Sequence, residues 1–234
     1  MPIKKSFKSE ELLSKLSLLT GQMTQAQKDE LLLHCTVRYY KVGDIVSGEG
    51  DVADRLFFIL KGVAKCSICG DADRWQTVRL VKTGEYFGYR AFFAEQNHMA
   101  SYVAMTEMAV CAIPMDFIKQ CLDDCPFLKD FFLKRLAIGL WQADYRFVCL
   151  IQKHVRGRMA ATLLSLVEYF GYKADGKTLA FEVTRAELAN LANMITANAI
   201  RTLSAFVSEG LIMIDKRRIT ILDSEGLQYI STHD

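Results

Sequence analysis

The stretch Val183–Ile212, VTRAELANLANMITANAIRTLSAFVSEGLI, decides how the chain is read. Thr184 followed three residues later by Glu187 is a capping box, in which the hydroxyl accepts from the amide three residues on while the carboxylate reaches back. A helix therefore starts near Arg185. Leu188, Leu191 and Ala192 give it an apolar stripe, and Ala186 and Ala189 leave room for another helix. Asn193-Met194 breaks the pattern. A second helical pattern then buries Ala199, Ile200, Leu203, Phe206 and Val207 and stops at Gly210. Its opposite face carries Ala197, Asn198, Arg201, Ser204 and Ser208. Short polar groups with one arginine suit the major groove of DNA, where Asn pairs with adenine and Arg with guanine. Next comes LIMIDKRRITIL, residues 211–222, two alternating strands about the basic turn Lys216-Arg217-Arg218. Such a wing can set cations beside phosphates. An ordinary helical hairpin with a solvated face is the plainer reading of any one part, because helix pairs of this kind are common.

Working back toward the N-terminus, Lys153–Tyr172 reads as a further helix. Upstream of it, helical spacing runs from Pro114 to about residue 152. There Leu133, Leu136, Leu140, Ala143, Phe147 and Leu150 recur at steps of three and four, a heptad seam that wants a partner, either a second copy or the chain's own β-domain. From Thr36 to Ile113 the period changes to short apolar or alternating stretches punctuated by Gly43, Gly48, Gly50, Gly62, Gly70, Gly84 and Gly88. That pattern predicts an antiparallel β-roll of about eight strands. Two short amphipathic helices, Ser9–Leu19 and Thr24–Cys35, precede it. The expected fold is α+β: a sensor β-roll with N-terminal helices over 1–116, a long dimerisation helix over 117–152, and a winged helix-turn-helix over 153–234.

Composition sets limits. The 234 residues carry a formal charge of only +2, and ten Lys/Arg face nine Asp/Glu after Gln152. Any DNA contact must therefore come from local placement of charge. Neither a membrane-spanning run nor a signal peptide is legible, which points to a cytoplasmic protein. Seven scattered cysteines read as reduced, mostly buried thiols. Cys66 and Cys69 have C-x-x-C spacing but no second pair to match, and no metal site is expected. No nucleophile–base constellation or phosphate-cradling loop argues for an enzyme.

The order β-roll, long helix, winged helix-turn-helix resembles the Crp/Fnr family of bacterial transcription regulators, and the resemblance spans nearly the whole chain. It rests on three stretches. KVGDIVSGEGDVADRLFFILKGVAKC carries Gly43, Asp44, Gly50, Asp51, Phe57, Ile59 and Gly62. VRGRMAATLLSL carries Gly157-Arg158, and TRAELANLANMITANAIRTL aligns without a gap. The resemblance implies a homodimer on a palindromic duplex DNA element, in contact with RNA polymerase. It places Thr184 and Arg185 on phosphates, beside the wing cations Lys216 and Arg217, and turns Thr196, Ala197, Asn198 and Arg201 toward bases. Cyclic-AMP-responsive members carry Arg and Glu where this chain has Thr196 and Ala197, and a capping Ser in place of Ile195, which implies a different operator.

The resemblance also places an effector site at GEYFGYRAFFAEQNHMAS, residues 84–101. Gly88 is kept. Tyr89 stands in the position of the ribose-binding Glu, Met99 in that of the phosphate-binding Arg, and Ala100 in that of the following Ser. Ala143 and Asp144 replace two adenine-binding hydroxyls on the long helix, and Arg90 lies beside the missing Glu. These losses argue against cyclic AMP as the effector. Phe87, Tyr89, Phe92, Phe93, Met99 and Tyr102 would make any remaining pocket apolar and aromatic, and the plainer reading is that they fill the roll. The alternatives are a sensory module without DNA activity and a haem- or thiol-based redox or gas sensor regulator. The latter would draw on His34, His98 and His154, or on the Cys66/Cys69 pair, although a lone His is more often an ordinary surface or core residue.

Overall fold

The computed structural model describes residues 7–71 and 74–234. Two compact units divide the chain between Leu140 and Trp141.

The first unit opens with α1 (Ser9–Lys15), α2 (Ser17–Thr20) and α3 (Gln25–His34). Eight strands follow: β1 (Thr36–Tyr40), β2 (Ile45–Ser47), β3 (Arg55–Lys61), β4 (Val63–Cys69), β5 (Trp75–Lys82), β6 (Tyr86–Phe87), β7 (Ser101–Ala104) and β8 (Met108–Pro114). The short α4 (Tyr89–Phe93) separates β6 from β7. They form two four-stranded antiparallel sheets, ordered β1-β8-β3-β6 and β2-β7-β4-β5. Successive strand side chains point to opposite faces, and here each face of the first sheet meets its own core. Phe57, Ile59, Val110 and Ala112 face inward and pack on Cys66, Val81 and Tyr102 of the second sheet. Leu56, Phe58, Leu60, Cys111 and Ile113 face outward onto the helices. Double burial explains why β3 and β8 read as unbroken apolar runs rather than alternations.

The helical region after β8 is two helices, α5 (Met115–Asp124) and α6 (Pro126–Gln152), not the single one expected over 117–152. Pro126 accounts for the break: it lacks an amide proton and pushes the preceding residue out of the helical region. Cys125 accordingly sits at φ −128°, ψ 81°. The boundary between units lies inside α6, whereas the sequence reading gave that helix a segment of its own.

The second unit begins with the last turns of α6 and continues through α7 (Val155–Phe170), α8 (Arg185–Leu191), α9 (Thr196–Ser208), β9 (Ile212–Asp215), β10 (Arg218–Ile221) and α10 (Ser224–His233). Met159, Leu163, Val183, Leu188, Phe206 and Leu227 are buried in it. Sequence reasoning missed α10. Its cap, Asp223, accepts from the Gly226 amide at 2.8 Å, but a glycine in the first turn disguised the start. Gly157, in α7, lies where an added Cβ would come 2.9 Å from the backbone of Asp234 at the end of α10, so α7 and α10 meet through a missing side chain.

Gly88 shows how tightly the roll is closed. Its φ is +98°, and an added Cβ would collide with the Arg55 carbonyl oxygen. Gly88→Ala is expected to destabilise the protein by about 2 kcal/mol or more, read as a fall in the urea midpoint of the roll's unfolding transition.

Candidate nucleic-acid interface

The capping box forms as read. The Thr184 hydroxyl accepts from the Glu187 amide at 3.2 Å, and the Thr184 amide donates to the Glu187 carboxylate at 2.8 Å. The same hydroxyl donates to that carboxylate at 2.8 Å. Thr184 is therefore committed to starting α8 and is not the free phosphate donor that the sequence reading made it.

The turn from α8 to α9 passes through Asn193 at φ +50°, a left-handed conformation that Asn tolerates better than most residues. Two arginines hold this turn. Arg158 on α7 donates to the carbonyls of Ala192 at 3.0 Å and Asn193 at 3.4 Å. Arg146, in the last turns of α6, donates to the Leu191 carbonyl at 2.9 Å. These are the carbonyls that a helix end leaves without partners. The family likeness had drawn attention to Arg158, but its local sequence does not disclose this role, and Arg146 gave no sequence signal at all.

Beyond the turn, Thr196, Ala197, Arg201, Ser204 and Ser208 are exposed and Asn198 half-buried, while Ala199, Leu203 and Phe206 are fully buried. Ile200 and Val207, expected in the core, are exposed instead, and Thr202 is buried. With Arg185, Leu203, Ser204 and Ile214, Ile200 and Val207 line a shallow groove between α9 and the wing. One Arg201 guanidinium nitrogen donates to the Asn198 side-chain oxygen, so the two candidate base readers are held together. Ile195, ahead of α9, has the extended backbone of an N-cap but supplies no side-chain cap.

The wing is a two-residue hairpin pairing Asp215 with Arg218 and Ile221 with Ile212. Lys216 at its tip has φ +54°, and both Lys216 and Arg217 are exposed. Arg185 donates to the Lys216 carbonyl, tying wing to motif. Arg218, third in the basic turn, is instead on a strand and pairs with Glu182 at 3.3 Å. Lys173, and after it Arg218, holds the Glu182 carboxyl below its usual range.

In the first unit, the effector candidates fall into separate places. Tyr102 and Ala100 are buried between the sheets, where the Phe87 ring is stacked on Phe57 at 4.8 Å and on Tyr102 at 4.1 Å. Tyr89 is buried in the outer core, its ring 5.5 Å from that of Phe132 on α6, and Phe92 packs against the same core. Arg90 lies where a side chain on Gly139 would stand. Met99 is 70% exposed. Phe87 and Tyr102 thus fill the roll, as the plainer reading had it. Ala143 and Asp144 are exposed on α6. His98 is buried beside Tyr102, its ring edge-on at 6.3 Å; burial pulls its pKa down against the opposing pull of Asp51 and Asp54. His34 stacks on Phe117, and His154 is exposed.

Cys66 and Cys69 both lie on β4. An odd offset along a strand puts them on opposite faces, so their spacing makes no chelate. Among the described residues no group of three or more His, Cys, Asp or Glu is placed to hold a metal.

A β-roll followed by a helix-turn-helix with a wing is the architecture of a sensor-coupled DNA-binding regulator. The family model for the cyclic nucleotide-binding domain matches residues 37–125, and that for the Crp-like helix-turn-helix domain matches residues 157–230. Among proteins of known role, the chain is 26% identical over 186 residues to the CRP-like cAMP-activated global transcriptional regulator of Mycobacterium tuberculosis, covering 79% of this chain and 83% of that one. It is 25% identical over 194 residues to the global nitrogen regulator of Synechococcus elongatus, covering 82% and 87%. A CRP/FNR-family transcriptional regulator from Thermus thermophilus superposes with a TM-score of 0.70 at 26% identity, over 84% of this chain and 98% of that one. The fold of a regulator from Eubacterium rectale matches with a TM-score of 0.74 at 19% identity, over 92% and 97%. The chain belongs to the Crp/Fnr family of transcription regulators.

The uncapped start of α9 is open to a direct check. Ile195 is 67% exposed, so Ile195→Ser loses little packing and adds a cap. A gain of about 1 kcal/mol is expected, measured by denaturant titration of the second unit's transition.

Proposed function

We propose that the protein works in the cytoplasm as a homodimer that binds a palindromic DNA element and acts on transcription through RNA polymerase. The observation that carries this reading is the outer face of α9, where the exposed Arg201 is linked to the half-buried Asn198 beside a basic wing tip without carboxylate partners. Thr196, Ala197, Asn198 and Arg201 face bases; Arg185, Lys216 and Arg217 hold phosphates. Two-fold symmetry then calls for half-sites about 34–36 Å apart.

The surface of α6 supports the dimer. Of the seam residues, Leu133, Leu140 and Phe147 are 64–66% exposed and Ala143 is exposed. Leu136 packs partly into the outer core, and Leu150 is half-buried. Trp141 and Ile151, outside the expected seam, are also 69% and 65% exposed. Exposed large apolar side chains in this number mark an interaction face, and a long helix with heptad spacing fits a second copy of itself. Among the described residues no helix is long and apolar enough to cross a membrane.

The relative from Mycobacterium tuberculosis is described as cAMP-activated. Here the effector is a different molecule, since Tyr89 is buried in the outer core, Met99 projects to solvent, and neither supplies the polar group that a cyclic nucleotide needs.

Selection from random duplexes at physiological salt should return one palindrome. Arg201→Ala should weaken its binding by about 1–3 kcal/mol and relax specificity at one base pair per half-site; an unchanged affinity and sequence preference would remove Arg201 from the interface. Phe147→Lys should shift the native mass from twice the chain mass toward the monomer in light scattering.

A further inference from the structure

Asn198 and Arg201 lie about one turn apart on α9, and residues at that spacing are neighbours on a helix surface. Asn198 is half-buried and Arg201 exposed. One guanidinium nitrogen of Arg201 donates to the Asn198 side-chain oxygen. The residue four positions before Arg201 is Ala197, which has no polar side-chain group. Among the described residues no carboxylate lies within ion-pair distance of Arg201. Asn198 is therefore the group that sets the direction of this guanidinium.

The link bears on what each residue can read. An asparagine pairs with adenine by presenting both ends of its amide, the oxygen to N6 and the nitrogen to N7. The oxygen of Asn198 is turned to Arg201 instead, so the amide is not set for that pair. A guanidinium has several N–H donors and no acceptor. Asn198 takes one donor and leaves enough of the fork for O6 and N7 of guanine. An arginine also samples many rotamers, and freezing so long a side chain on binding opposes association. A neighbour that holds the guanidinium before DNA arrives removes part of that opposition.

We infer that Asn198 is a positioning residue for Arg201 and not itself a reader of sequence: its side-chain oxygen pre-sets the guanidinium for a guanine in each half-site. This rests on α9 being the reading helix, and it divides the work on the outer face of that helix. Arg201 discriminates between bases, and Asn198 aims it. The sequence alone suggests two separate readers, whereas the hydrogen bond makes them one recognition unit whose substitutions are not additive.

The test uses the full-length protein. Selection from random duplexes supplies the preferred palindrome, and titration then compares it with duplexes that carry each other base pair at every position in turn. The readout is the preference among bases at each position, which a general loss of affinity does not alter. Arg201→Ala marks the position that Arg201 reads. Asn198→Ala should lower the guanine preference at that same position by about two- to tenfold and leave the other positions as they are. In the Arg201→Ala background it should change nothing further. Asn198→Asp keeps a side-chain oxygen for the guanidinium, so it should keep the guanine preference even though its charge weakens binding to every duplex. A preference altered at a different base pair in Asn198→Ala makes Asn198 a reader and overturns the inference. So does an Asn198→Ala protein with every preference intact, or loss of the guanine preference in Asn198→Asp. Those three outcomes leave the regulator standing, whereas a protein that selects no sequence at all sinks the regulator and this inference with it.

Discussion

The sheet β1-β8-β3-β6 is apolar on both faces, and the organisation of the first unit depends on that constraint. A sheet with one wet face needs one core, whereas this one must be covered twice. The inner cover is the second sheet, which supplies Ala64, Cys66, Val81 and Tyr102. The outer cover is helical, with Leu16, Leu19, Leu31, Phe117, Ile118 and Leu128 all buried in it. The N-terminal helices, α5 and the start of α6 are thus held by the back of the roll. A one-residue slip of β3 or β8 would exchange the two sets of side chains, so the double burial also fixes register. It leaves the later part of α6 with apolar groups that the roll does not take up: Leu128 and Phe132 are buried, while Leu140 and Phe147 remain exposed.

In the second unit, the apolar faces of α8 and α9 are buried, and the turn between them is held by hydrogen bonds to main-chain carbonyls. A helix-turn-helix must end one helix and begin another within a few residues, leaving orphan carbonyls at the break. Arg158 and Arg146 satisfy carbonyls at Leu191, Ala192 and Asn193, and charged donors make stronger bonds than neutral ones. The turn is fixed from α7 and from the end of α6 together. Any displacement of those last turns of α6 must strain or break the bond to Leu191, which gives the end of α6 a direct mechanical hold on the motif.

Local patterns that depend on neighbouring residues were legible in the sequence. The capping box at Thr184 and Glu187, the eight strands between glycines, and the wing around Lys216 all follow from chain-local geometry. What required the third dimension was less readable. Ile200 and Val207 have the spacing of core residues yet are exposed, because a helical stripe wider than its neighbouring surface leaves its flanks out. Met99, Tyr89 and Tyr102 look like one pocket in sequence, but Met99 lies ahead of β7 and is exposed, Tyr89 on α4 packs into the outer core, and Tyr102 on β7 packs into the inner one.

Electrostatics in the second unit depends on where charges are paired, and this resolves the tension between weak net charge and a polyanionic partner. Lys173 and Arg218 share Glu182, and Arg156 pairs with Glu209 and Asp234. Exposed pairs of this kind contribute little stability, roughly 0–1 kcal/mol each, but they remove positive potential from the places where they occur. Among the described residues, Arg185, Arg201, Lys216 and Arg217 have no carboxylate partner. These four belong to the reading motif and the wing tip. A nearly neutral domain therefore presents an unpaired cationic edge on one surface, and association with DNA through it should weaken steeply as salt rises, because phosphate contacts release counterions.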